Sequence, residues 1–200
     1  LNSATATIKA PNSQKTERLK NSTISSRFVF FLTSDFFFLP KNKRGMYNDI
    51  GCYGCFFNEW VRGDDDKPLS VMAFKGNYNT PYMNSADNMA GIIEYKDSFG
   101  VVEGSWTVPQ ASLPTGPVYN CTDGVLYCDE NKEIVAMDIY GDKIELPEYE
   151  LTPHIANLPD HYAYCKKTGT PLIKTVTLDF NIRLMRLVDA ALKSSESGKK

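Results

Sequence analysis

The spacing of apolar residues divides the chain into stretches of different period. Residues 1–27 are rich in Ser, Thr, Asn and Lys with little periodicity, which predicts a mobile or atypical segment, weakly helical around "SQKTERLK". The block "FVFFLTSDFFFL" at 28–39 reads as a buried strand ended by Pro40. From Asn48 to Arg62 the period becomes helical. Ile50, Tyr53, Phe57, Trp60 and Val61 predict one broad apolar face, with Asn48 or Asp49 as cap and Gly63 at the C-terminal end. "GDDDKP" then reads as a solvated turn.

A β-rich region follows. "LSVMAFKGNY" (69–78) predicts one strand. "NMAGIIEY" (88–95) and "GVVEGSWTV" (100–108) predict a hairpin around "KDSFG", with Gly100 at a turn position needing positive φ. "VYNC", "GVLYCD", "EIVAMDIY" and "DKIELP" add short strands, with Gly124 and Gly141 at turns. The last elements are helical. Residues 158–169 open on a Pro-Asp cap and stop at Gly169. Residues 178–198 carry Leu178, Ile182, Met185, Val188 and Leu192 on one stripe, with Gly198 as terminator. This order predicts an α+β fold in which an open, largely antiparallel β-sheet has helices packed on one face. The domain runs over 28–200, without internal repeats.

Composition narrows the functions. Hydrophobic content of 42%, charged content of 23% and a net charge of −2 describe an ordinary globular chain, with no basic patch to hold nucleic acid or an anionic membrane. The longest apolar run falls short of the about 20 residues that cross a bilayer, and it contains Asp35. Five cysteines without scaffold spacing fit reduced thiols, which points to a cytoplasmic protein. The N-x-[ST] triplets at Asn21 and Asn120 are common chance patterns and argue only weakly for secretion. The chain opens on Leu rather than Met, as a fragment or a mis-started gene would.

Candidate chemistry centres on "DIGCYGC" (49–55). A zinc site usually joins two close cysteine pairs, and Cys52 with Cys55 is the only C-x-x-C; one helical turn apart, the two thiols read as small apolar fillers rather than metal or redox ligands. His154 and His161 have no nucleophile partner nearby in sequence and read as surface or capping residues. No G-x-G-x-x-G and no P-loop occurs. Asp49 and Tyr53 stand four apart, so a helix projects them from one face toward one ligand, where a positioned phenol can pass a proton to or from a hydroxyl. An N-terminal acid favoured by the helix dipole and a core tyrosine would give the same spacing.

The motifs of 45–200 resemble, in order, the C-terminal domain of the Gfo/Idh/MocA oxidoreductases. "DIGCYG" followed by Trp and Gly is similar to the segment that opens that domain. "DNMAGIIEYKDSFGVVEGSWTVPQ" resembles its strand, turn and G-S-W segment, and "VYNCTDGVLYCD" its following strand and turn. "DHYAYCKKTGTPL" resembles the helix ending in T-G-x-P, and "LVDAALKSSESGKK" the terminal helix. With Tyr53 at this place, the segment resembles the branch of glucose-fructose oxidoreductase and the dihydrodiol dehydrogenases.

The resemblance implies that Asp49 orients substrate and Tyr53 serves its hydroxyl or carbonyl as proton donor or acceptor. It implies NAD or NADP in the complete enzyme, a sugar, polyol or diol substrate, and a homo-oligomer built through the sheet. Two departures stand out: the family's Gly-rich run before the acid is reduced to Gly45, and its Rossmann domain, with the lysine of an E-K-P motif, has no counterpart before residue 45. The expectation is a substrate-binding half that neither binds NAD(P) tightly nor turns over alone. A non-catalytic oligomerisation or interaction module derived from the same family is the competing reading.

Overall fold

The computed structural model describes residues 23–29, 45–62, 64–107, 116–129, 131, 133–147 and 154–200. Its strands are β1 (Thr23–Val29), β2 (Ser70–Gly76), β3 (Asn88–Glu94), β4 (Phe99–Ser105), β5 (Gly116–Cys121), β6 (Gly124–Cys128), β7 (Ile134–Asp138) and β8 (Lys143–Ile144). They form one sheet in the order β2-β3-β4-β1-β5-β6-β7-β8. Every pairing is antiparallel except β1 with β4, which run parallel. Helices α1 (Cys52–Val61), α2 (Leu158–Thr168) and α3 (Leu178–Ser197) complete the α+β fold. The first strand starts earlier than the phenylalanine-rich block predicts, on "TISSRFV" with its β-branched residues. Residues 30–39 and Gly63 lie outside the described residues.

Alternation explains the covered face. In β2 and β3, Val71, Ala73, Met89 and Ile93 point inward and are buried, while Met72, Phe74, Ala90 and Ile92 point outward and are exposed. α1 and α3 pack over the inward set, and Tyr47, Ile50, Cys55, Phe180, Leu184 and Val188 complete the core. Phe56 meets Phe180 edge to face at 5.5 Å, joining the two helices.

The helix phases differ from the periodicity reading. On α3 the buried stripe is Phe180, Leu184, Leu187, Val188 and Ala191; Leu178, Ile182 and Met185 are exposed. On α1, Tyr53 and Val61 are exposed, whereas Asn58 and Glu59 are buried. Polar partners supply the reason. Glu59 accepts from the Tyr95 hydroxyl at 3.0 Å and pairs with Arg183 Nε at 2.6 Å, and Asn58 Nδ2 donates to the Gly54 carbonyl at 2.9 Å. A paired carboxylate and an amide bonded through its Nδ2, with its buried Oδ1 unpartnered, thus occupy the inward side, which hydropathy assigns to apolar residues.

Other expectations are corrected. Gly100 sits inside β4 rather than at a positive-φ turn, and a Cβ there would lie 1.9 Å from Asn58 Oδ1. α2 is capped by Asn157, whose side chain accepts from the Asp160 N–H, instead of by Pro-Asp, and α3 is capped by Thr177. Gly169 and Gly198 end these helices as predicted. His161 is buried, not a surface or capping residue: its Nε2 accepts from the Ile173 N–H at 3.0 Å and lies 3.5 Å from the Cys165 sulfur.

Candidate functional site

The segment that opens the first helix departs from a regular α-helix. Tyr47–Gly51 form a π-helical turn that runs directly into α1, with Met46, Gly51 and Cys52 already in right-handed helical conformation. No side chain caps it, so neither Asn48 nor Asp49 plays the expected capping role. Such widened turns recur at functional sites, and they advance fewer degrees per residue than an α-helix. Positions 49 and 53 therefore stay on one side across the junction. Burial agrees: Ile50, Gly51, Gly54 and Cys55 turn inward, while Asp49 and Cys52 are half-buried and Tyr53 is exposed. Close packing against the sheet needs glycine at 51, where a Cβ would come within 2.5 Å of the Met89 sulfur.

Asp49 is held from across the fold. Its Oδ2 accepts a hydrogen bond from the indole N–H of Trp106 at 2.9 Å. Burial raises the Asp49 carboxyl above the usual carboxylate range, and the Trp106 bond opposes that rise. Cys52, one turn on, donates its thiol to the Asp49 carbonyl at 3.3 Å, and burial followed by the Asp49 charge pushes that thiol up. A thiol raised in this way is a poor nucleophile. Cys55 is buried in the core, where burial raises its thiol further, as packing filler does. The phenol of Tyr53 stays open to solvent at 40% exposure, so it is not the core tyrosine of the alternative reading.

Trp106 is the residue that sequence reasoning missed. Its signal was the G-S-W segment, which reads as part of the strand over 100–108 and carries no sign that the indole reaches back to Asp49. His154, whose ring stacks on Tyr164 at 4.5 Å, belongs to the chain just before α2. Among the described residues no cluster of His, Cys, Asp and Glu could hold a metal ion.

The helix N-termini among the described residues do not fit a dinucleotide's pyrophosphate. A pyrophosphate wants free backbone N–H groups and no negative charge at a helix N-terminus. Here the first turns carry Asp49, Asp160 and Asp179, and α2 and α3 each commit an N-terminal N–H to a side-chain cap.

No protein-family model matches the sequence, and no curated protein matches it. Solved structures do. A protein from Thermotoga maritima superposes with a TM-score of 0.70 at 16% identity, over 92% of this chain and 56% of its own. An oxidoreductase from Agrobacterium radiobacter, in complex with NAD+, L-tartaric acid and magnesium, gives 0.67 at 16% identity over 89% of this chain and 55% of its own. The aldose-aldose oxidoreductase from Caulobacter crescentus, complexed with glycerol, gives 0.65 at 16% identity over 93% of this chain and 57% of its own. The chain shares the fold of part of these oxidoreductases. It spans about half the length of the structures it matches.

Proposed function

We propose that this chain supplies the substrate-binding surface of an NAD(P)-dependent oxidoreductase of the Gfo/Idh/MocA kind, acting on a hydroxyl or carbonyl of a sugar, polyol or diol. The observation that carries the reading is the pair at the π-turn: a half-buried carboxylate fixed by an indole, and four residues on an open phenol. In this role the free capacity of the Asp49 carboxylate accepts a substrate hydroxyl, and Tyr53 donates a proton to, or takes one from, the reacting oxygen. The neutral indole fixes the carboxylate without cancelling its charge. The dinucleotide would be held by residues other than those described.

The solved neighbours support the substrate class, since one was crystallised with tartaric acid and another with glycerol. Titrating the chain with polyols and sugar acids, read on the Trp106 indole resonance, tests it. The expected result is a saturable shift that Asp49→Asn and Tyr53→Phe each weaken. A resonance that ignores every polyol and sugar acid overturns the reading. Tight, micromolar binding of NAD(P) by the chain alone would overturn its assignment as a substrate half.

The exposed outer face of the sheet, with Met72, Phe74, Ile92 and Phe99, supports a homo-oligomer built through that face. It equally favours the second reading, a non-catalytic interaction module. A chain that self-associates through this face while ignoring polyols would decide for the module.

A further inference from the structure

The loop between β2 and β3 is organised by one acid. Asp87 is fully buried. Its Oδ1 accepts from the Tyr78 N–H at 2.9 Å and the Asn88 amide at 2.7 Å. Its Oδ2 accepts from the Asn79 N–H at 2.8 Å, the Thr80 N–H at 2.9 Å and the Thr80 hydroxyl at 3.0 Å. Burial favours the neutral form, but these donors outweigh it and leave the carboxyl below the usual carboxylate range. A buried anion satisfied by loop donors fixes the loop's backbone.

What the loop then holds is the candidate site. Two consecutive carbonyls each take one N–H from the two segments that meet there. The Ala86 carbonyl accepts from Met46 N–H at 3.3 Å, three residues before Asp49, and the Asp87 carbonyl accepts from the Trp106 N–H at 2.9 Å. The next residue is tied as well, since the Thr107 hydroxyl accepts from the Asn79 amide at 2.8 Å and the Asn88 amide at 3.3 Å. The indole reaches Asp49 only while these two segments keep their spacing.

We propose that Asp87 is a positioning residue for the Asp49 carboxylate, acting through Trp106. It touches no substrate, because its side chain is buried inside the loop. Its functional meaning rests on the reading of Asp49 as the substrate-binding acid, but the geometric claim can be tested without substrate.

The experiment is a pH titration of the full chain with ¹⁵N-labelled tryptophan, following the indole N–H resonances of Trp106 and Trp60. In the unmodified protein the Trp106 resonance is expected to move as Asp49 titrates, and Trp106→Phe identifies it. Asp87→Asn is expected to abolish that movement while the Trp60 resonance, in the aromatic cluster with Phe56, keeps its folded position. If Asp87→Asn does not fold, Thr80→Val decides: it removes one donor to the carboxylate and is expected to reduce the movement. An unchanged Trp106 titration in whichever variant folds overturns the proposal. Failure of the substrate reading looks different: the unmodified Trp106 resonance titrates with pH but ignores polyols.

Discussion

The two halves of the sheet are made of similar strands but are stabilised differently. In β2, β3 and β4 burial alternates strictly along most of each strand, because α1 and α3 cover one face. In β5 to β8 nearly every described residue is intermediate or exposed, and Ala136 is the one buried residue among those described. Hydrogen bonding is equally regular in both halves. Alternation in a strand therefore records a covering layer, not the strand itself. The candidate site lies in the covered half, where an acid can be partly desolvated and still held by a side chain from another element.

The sharpest way to break the comparison is Glu59→Ala. It strips Arg183 and Tyr95 of their shared partner under the helix layer, and a loss of about 3–5 kcal/mol is expected in urea unfolding. Matched truncations come next. Ile93→Ala in the covered half should cost about 2–5 kcal/mol, whereas Ile134→Ala, at 62% exposure in the half where no described helix packs, should cost less than about 0.5 kcal/mol. Equal losses would show that the halves do not differ in packing. Gly100→Ala drives a methyl group into Asn58 and should cost about 1–3 kcal/mol by thermal unfolding.

Acid titration sharpens the contrast more gently. Asp87 has a folded-state pKa below its unfolded value, so the unfolded chain binds the proton more readily. Its stabilisation is complete above the ordinary aspartate range and is lost as pH falls through the folded value. Asp49 has the opposite sign: burial raises its folded pKa, so protonation on acidification relieves a cost instead of adding one. Urea midpoints measured from neutral to acid pH should fall for the unmodified chain, and fall less steeply for Asp87→Asn. Parallel curves would remove Asp87 from the account.

Much of the fold was legible because its signals are local. The strands at 70–76 and 88–94 lie within the predicted runs, the strand at 99–105 starts one residue before its predicted run, and Gly169 and Gly198 stop the last two helices where expected. Helical phase was not legible. Periodicity put Tyr53 and Val61 inside with Ile50, but burying Glu59 and Asn58 turns the helix away from that choice. Only the arrival of Tyr95 and Arg183 makes a buried glutamate tolerable. His161 was misread for the same reason: the Ile173 N–H that it satisfies lies beyond its helix.

The amino-acid order by itself determined the spacing of Asp49 and Tyr53, the glycine stops of the last two helices and the places of the strands around the site, since these depend on neighbours a few residues away. The tertiary structure decided the sheet order, the π-helical turn, which side of each helix is buried, and the indole that grips Asp49. Those features depend on groups brought together from remote parts of the chain, and a short-range pattern holds no information about a partner that far away.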